Sequence, residues 1–206
     1  MSPQFNNITG VILAGGESKR MGRDKATLEF SGDRLIKKTV CLFKSLFPTV
    51  IVISKETDHL KDLDCLVIED MLPDRGAMIG ILTAFKHSRA EAIFVAACDM
   101  PFLNKELISY IISEGAGFDV ALPVVAGKKH PLHALYSRAS LEPMSEALKK
   151  GKKSLNAFID SLAPEKVRLI DEEEIKQVDA EALSLFNMNT VEELEIAKSI
   201  MRKTLE

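Results

Sequence analysis

The chain has 206 residues, 46% of them hydrophobic and 28% charged, and a formal net charge of −3. Such a chain is long enough to bury a substantial core as one domain over 1–206, and its charge excludes a general attraction to nucleic acid, so any anion binding must be local. Its three cysteines, Cys41, Cys65 and Cys98, are widely spaced with no C-x-x-C pair, which argues against a disulfide framework and a zinc site.

Met1–Asn7 lacks the charged start and apolar core of a signal peptide, and no apolar run approaches the roughly eighteen residues of a membrane span, so a cytoplasmic protein with no membrane contact is expected. Ile8–Ala14 reads as a buried strand. It stops at Gly15 and Gly16, where main-chain amides can approach an anion with no Cβ in the way, and Lys19, Arg20, Arg23 and Lys25 follow. That chemistry suits a polyphosphate. The glycine spacing matches neither the dinucleotide fingerprint nor the P-loop: five residues separate Gly16 from Gly22, and Arg23 follows. Leu28–Gly32 reads as a short extended piece and a turn. The 3.6-residue recurrence of Ile36, Val40, Phe43 and Phe47 predicts a helix over 34–47, ended by Pro48. Strands follow at Thr49–Ser54 and Cys65–Ile68, then an irregular stretch through Pro73 and Gly76, a helix over 77–87 and a very apolar strand, Ala92–Ala97. This alternation is the pattern of an α/β sheet covered on both faces. Ligands in such sheets collect at the carboxyl ends of strands, which groups the Gly15 loop, Asp70 and Asp99. Asp70 reads equally as a turn or helix cap. Asp99, directly after a buried strand, is the best metal ligand in the chain, because a buried carboxylate is costly unless paired or holding a cation.

In the second part, Asn104 caps a helix through Leu107, Ile111 and Ile112 that ends at Gly115–Gly117. Asp119–Val125 and His133–Tyr136 read as strands around the turn Ala126-Gly127-Lys128-Lys129. With no room for a helix between them, they are antiparallel neighbours or diverge. His130 and His133 lack a third ligand, and Pro131 opposes the helix that would align them, so a metal reading fails. A helix over 140–150 ends at Gly151, and Lys152-Lys153-Ser154 starts another running to Leu162; the lysines read as an anion site or as a solvated turn. Val167–Ile170 is a late strand and Asp171–Val178 an acidic, exposed stretch. Thr190 and Glu193 form a capping box for a last helix with Leu194 and Ala197 on its apolar face, which leaves Asn187 and Asn189 unexplained.

The segment Leu13-Ala14-Gly15-Gly16-x-Ser18-x-Arg20-Met21-Gly22-x-Asp24-Lys25-Ala26 resembles the signature of nucleotidyltransferases, most closely that of molybdenum cofactor guanylyltransferases. Cytidylyltransferases acting on the same cofactor usually carry Ala-Ala-Gly where this chain has Ala14-Gly15-Gly16. The Cys98-Asp99-x-Pro101 and Asn187-x-Asn189-Thr190 segments resemble further motifs of the family. The resemblance implies a three-layer, Rossmann-like nucleotidyltransferase fold with a mostly parallel central sheet, a nucleotide-binding half to about residue 117 and an acceptor-binding half from about 118. It implies transfer of GMP from GTP to molybdopterin bearing molybdenum, with release of pyrophosphate. Leu13, Ala14, Gly15, Gly16, Lys25, Asp70, Gly76 and Asp99 would bind the nucleotide, and Arg20, Lys25 and Asp99 would carry catalysis, with Mg²⁺ on Asp99. His130, Pro131, Lys152, Lys153, Asn187 and Asn189 would bind the acceptor. Molybdoenzyme chaperones or other cofactor-biosynthesis proteins are implied partners. The chain departs from the family at Ile53-Ser54-Lys55, where an asparagine is frequent. Rival readings are a cytidylyl- or sugar-nucleotidyltransferase and a non-catalytic GTP-binding adaptor.

Overall fold

The computed structural model describes residues 4–14, 29–30, 33–70 and 76–204. The strands are β1 (Ile8–Leu13), β2 (Glu29–Phe30), β3 (Asp33–Arg34), β4 (Thr49–Ser54), β5 (Leu66–Glu69), β6 (Ala92–Ala97), β7 (Val120–Val125), β8 (Lys128–Lys129), β9 (His133–Ser137) and β10 (Val167–Ile170). The helices are α1 (Leu35–Leu46), α2 (Ala77–His87), α3 (Lys105–Glu114), α4 (Leu141–Lys149), α5 (Leu155–Ile159), α6 (Glu172–Lys176) and α7 (Val191–Thr204).

The main sheet runs in the order β10-β7-β9-β6-β1-β4-β5, with β8 paired to β7. The strand β1 lies parallel between β4 and β6, with Leu13 opposite Ile53 on one side and Ala97 on the other. Only β9 and β8 run against the rest. Alternate residues of each central strand enter opposite cores, as the two-residue period of a strand requires. Ile12, Phe94 and Leu135 pack with α1, α3 and α6 on one face, and Val11, Val95 and Tyr136 pack with α2, α4 and α5 on the other. The three-layer, mostly parallel arrangement expected from the sequence is the arrangement found.

Gly10 lets α1 come close to β1. A Cβ at Gly10 would lie 2.5 Å from Phe47 Cδ2 and 2.7 Å from Phe43 Cδ2. Both rings are buried, and they pack edge-on to each other at 5.3 Å.

Three elements differ from the sequence reading. The strands β7 and β9 both pair and part: Val120 and Ala121 face Tyr136 and Leu135, after which β7 turns to pair with β8. Lys128 and Lys129 therefore belong to a return strand, and the turn is Ala126-Gly127, both with positive φ (49° and 73°), the left-handed pair that two-residue hairpins use. The acidic stretch from Asp171, largely exposed as expected, is helical. It forms α6, because Asp171 and Glu174 close a reciprocal capping box and Ile175 enters the core. Arg168 on β10 pairs with Glu174 and, at 2.8 Å, with Glu114 of α3; its guanidinium holds the Glu174 carboxyl below the usual range. Finally, α5 stops at Ile159, short of Leu162.

His133 on β9 is fully buried, its ring edge-on to Phe94 at 5.3 Å, and neither ring nitrogen has a hydrogen-bond partner among the described residues. Burial first, and then the nearby His130, push its pKa down to about 3.

Gly10→Ala should cost about 1–3 kcal/mol through overpacking against the two phenylalanines, read as a lowered midpoint in urea unfolding. His133 is neutral in the native state and protonates near pH 6.5 once unfolded, so its stability contribution is complete above that pH and falls as pH drops toward 3. Between pH 7 and 5 the parent chain should therefore lose about 2 kcal/mol more stability than His133→Leu. Parallel pH slopes in urea melts of the two proteins would contradict this.

Candidate functional site

The ends of four parallel strands, β6, β1, β4 and β5, are tied together by backbone bonds that continue the sheet beyond them. Ala14 N donates to Ile53 O at 2.8 Å, Cys98 N to Leu13 O at 3.1 Å, and Asp70 N to Ser54 O at 2.8 Å. Leu13, Ala14, Asp70 and Asp99 thus share the carboxyl edge of the sheet, Asp99 next to the end of β1 and Asp70 one strand further out, beyond β4. Asp99 is only 6% exposed. Gly15, Gly16, Arg20 and Lys25 lie outside the described residues.

Gly76 precedes α2 with φ 157° and ψ 155°, a region essentially restricted to glycine. The helix behind it approaches β1 closely, since a Cβ at Gly80 would be 2.9 Å from Leu13 Cδ2. Gly76 also touches the second half of the chain: a Cβ there would lie 3.7 Å from Lys153 O. Lys152 and Lys153 are exposed, and Ser154 is the N-cap of α5, so the two lysines precede the helix and are not part of its first turn. Gly151, at φ 78°, turns the chain out of α4, and Lys152 N closes onto Ala147 O at 2.9 Å.

The loop 130–132 crosses the end of β6. Leu132 O accepts from Ala97 N at 3.1 Å, two residues before Asp99, while His130 N donates to Pro123 O and Pro131 O accepts from the Tyr136 hydroxyl at 2.7 Å. The structure brings His130 and Pro131 to the edge that carries Asp99. Burial, and secondarily Lys128, push the His130 pKa down to about 4, so near neutral pH the imidazole is an uncharged hydrogen-bonding group. His133 points into the core, and no group of three or more His, Cys, Asp or Glu suited to a metal occurs among the described residues.

The segment 187–189 returns to the same edge. Met188 N donates to Asp99 O at 2.9 Å, and the buried Met188 packs with Leu35 and Ala197 while Phe186 rests against Phe102, ring centroids 6.1 Å apart. Asn187 Oδ1 is buried with no hydrogen-bond partner among the described residues. Asn189 is exposed. Glu193 and Leu132 were not singled out for the site by sequence: Glu193 reads as a simple cap, and a contact made by the Leu132 carbonyl leaves no mark on residue type.

A divalent cation fits this edge. Mg²⁺ takes one or two carboxylates and fills its remaining positions with water and phosphate oxygens, and Asp99 is a buried carboxylic residue just past the end of β6. No helix of the described residues is long and apolar enough to cross a membrane.

The profile of the MobA-like NTP transferase domain matches residues 10–167. The probable molybdenum cofactor guanylyltransferase of Pelotomaculum thermopropionicum is 33% identical over 186 residues, covering 90% of this chain and 89% of that protein. The molybdenum cofactor guanylyltransferase of Desulfosudis oleivorans is 32% identical over 197 residues, covering 95% and 96%. Among solved structures, the molybdopterin-guanine dinucleotide biosynthesis protein A of Archaeoglobus fulgidus superposes with a TM-score of 0.81 at 26% identity, over 95% of this chain and 99% of that one. The 2-C-methyl-D-erythritol 4-phosphate cytidylyltransferase of Thermus thermophilus, 17% identical with a TM-score of 0.69, shares the fold. With its matched profile spanning β1 to the start of β10 and its relatives aligned over nearly their whole lengths, the chain belongs to the family of MobA-like NTP transferase domains.

Proposed function

We propose that this protein transfers GMP from GTP to the terminal phosphate of molybdopterin bearing molybdenum, forming the guanine dinucleotide cofactor and releasing pyrophosphate. The observation that carries this reading is the 2.9 Å bond from Met188 N to Asp99 O, which sets the Asn187–Asn189 segment against the candidate metal carboxylate, in a chain whose relatives are named guanylyltransferases over most of its length. Residues up to about 117 supply the nucleotide side and those from about 118 the acceptor side. The cytoplasm suits such an enzyme, whose three cysteines are free thiols.

An acceptor phosphate oxygen attacks the α-phosphorus of GTP, the bond to the β-phosphate oxygen breaks, and pyrophosphate leaves. The acceptor phosphate is already an anion, so alignment and charge neutralisation replace general-base catalysis. Main chain at Leu13, Ala14 and Gly76 borders the nucleotide, with the Asp70 carboxylate beside it. Asp99 would hold Mg²⁺, which when bound offsets the charge of the phosphates. The sequence signature assigns phosphate contacts to the amides of Gly15 and Gly16 and to the side chains of Arg20 and Lys25. On the acceptor side, neutral His130 and the buried Asn187 Oδ1 suit hydrogen bonds to a polar heterocycle, while Pro131 and Asn189 shape the loops around it. Lys152 and Lys153 suit the acceptor's phosphate. The product passes to chaperones or other proteins of molybdoenzyme maturation.

Pyrophosphate release measured with each nucleoside triphosphate, with and without molybdopterin, should require both GTP and molybdopterin. Release with CTP in place of GTP, or with GTP alone at the full rate, would refute the assignment. Asp99→Asn should lower kcat by about a hundredfold or more and raise the Mg²⁺ concentration needed for half-maximal rate. An unaltered Mg²⁺ titration would remove Asp99 from the metal site.

A further inference from the structure

Building on the guanylyl-transfer reading, we propose that Glu193, in the first turn of α7, is a positioning residue that fixes the backbone between Asn187 and Thr190 and so sets the acceptor side of the site. An ordinary capping box closes two bonds, and both are present: Glu193 N donates to Thr190 Oγ1 at 3.1 Å, and Thr190 N donates to Glu193 Oε2 at 3.0 Å. The same Oε2 also accepts from Asn189 N at 2.5 Å. Starting the helix does not require that third bond.

Its effect is on the two asparagines. Met188 N is held by Asp99 O, and the next two amides, of Asn189 and Thr190, are held by Glu193, so three successive main-chain donors are anchored to two different elements. One anchor is the end of β6, where the metal carboxylate sits; the other is α7. Asn187 and Asn189 flank Met188, whose buried side chain pins the middle of the segment among Leu35 and Ala197. Asn187 Oδ1 is buried and accepts no hydrogen bond from the described residues, and the main chain sets the point from which its side chain leaves. A carboxylate accepting from amides makes stronger bonds than a neutral acceptor, and at a helix N-terminus its charge is further favoured. Removing Glu193 would free the Asn189 amide while leaving the Met188 anchor, which tilts the segment without detaching it.

The test uses the full chain with Glu193→Ala and Glu193→Gln. Pyrophosphate release is measured with GTP and molybdopterin varied independently, and hydrogen exchange is followed at the amides of residues 187–190. For Glu193→Ala, the KM for molybdopterin should rise about tenfold or more, the KM for GTP should stay within about twofold, and exchange at Asn189 and Thr190 should accelerate about tenfold or more. Glu193→Gln retains an oxygen for both amides, so its KM for molybdopterin should lie within about threefold of the parent value. Should the alanine variant fail to fold, Glu193→Asp, which keeps the charge at the helix start but is one methylene too short to hold both amides, takes its place: faster exchange at Asn189 with a selective rise in the molybdopterin KM supports the role, and equal shifts in both KM values overturn it. Unchanged exchange in Glu193→Ala, or a loss of kcat with both KM values unmoved, also overturns it. A parent protein that releases no pyrophosphate from GTP overturns guanylyl transfer instead, and the exchange measurement then still decides whether Glu193 holds the segment.

Discussion

The site depends on backbone hydrogen bonds that carry the sheet one or two residues past the ends of its strands. A parallel strand that simply stopped would leave unpaired amides and carbonyls at its buried end, at a cost of order 1–3 kcal/mol for each. Here Ala14, Asp70 and Cys98 each donate to a neighbouring strand end. Neighbouring strands lie about 4.8 Å apart, so these bonds hold the last residues of β1 and the residue before Asp99 within one strand spacing of each other. The position of the candidate metal ligand is therefore set by main-chain geometry and by the apolar residues beneath it, Leu13, Ala97 and Cys98, all buried.

The reversal of a single strand brings the second half of the chain to that edge. In a parallel sheet the loop before each strand lies at the opposite end from the loop after it. Because β9 runs against β6, the loop that precedes it, 130–132, lies at the carboxyl end of β6, and Leu132 O bonds there to Ala97 N. The hairpin between β7 and β8 shares that end, since β7 runs parallel to β6. The reversal also carries His133 into the core beside Phe94, a polar ring with no polar partner for either nitrogen among the described residues. Burying an unsatisfied polar ring is unfavourable, and the surrounding apolar packing must outweigh it.

Most of the elements were legible in the sequence because their signals are local. The branched apolar runs at Ile8–Leu13, Thr49–Ser54 and Ala92–Ala97 and the 3.6-residue recurrence in α1 and α3 carry their structure in their own composition. Strand order is different: it depends on which apolar face meets which, and no segment encodes that alone. Asp70 and Asp99 could be grouped because each follows a predicted strand end, whereas Asn187 is assigned to the site through the family resemblance alone. The Asp171-x-x-Glu174 spacing that starts α6 was present in the sequence, but four acidic residues in a row masked it as a solvated stretch, and the Arg168 that answers Glu174 lies on another element. The hairpin at Ala126-Gly127 was legible as a turn, yet its exact residues depend on two positive φ angles, one at an alanine, which residue type does not advertise. The Gly15–Lys25 segment, whose signature carries the family resemblance, lies outside the described residues.

Each segment proposed for the acceptor side is anchored chiefly through its main chain. His130 and Leu132 are held by backbone bonds to Pro123 and Ala97, Lys152 by its amide to Ala147, and Met188 by its amide to Asp99. When the backbone fixes a loop, side-chain identity is set less by the fold and more by whatever meets the loop, and binding residues concentrate on loops carried by rigid scaffolds for that reason. On the proposed nucleotide side, the bare Gly80 lets α2 come close to the Leu13 side chain of β1. A triphosphate offers the same array of oxygens whatever base it carries, and main-chain amides, cationic side chains and a cation held by a carboxylate are the groups that suit it. A polar heterocycle needs side chains chosen for its particular donors and acceptors.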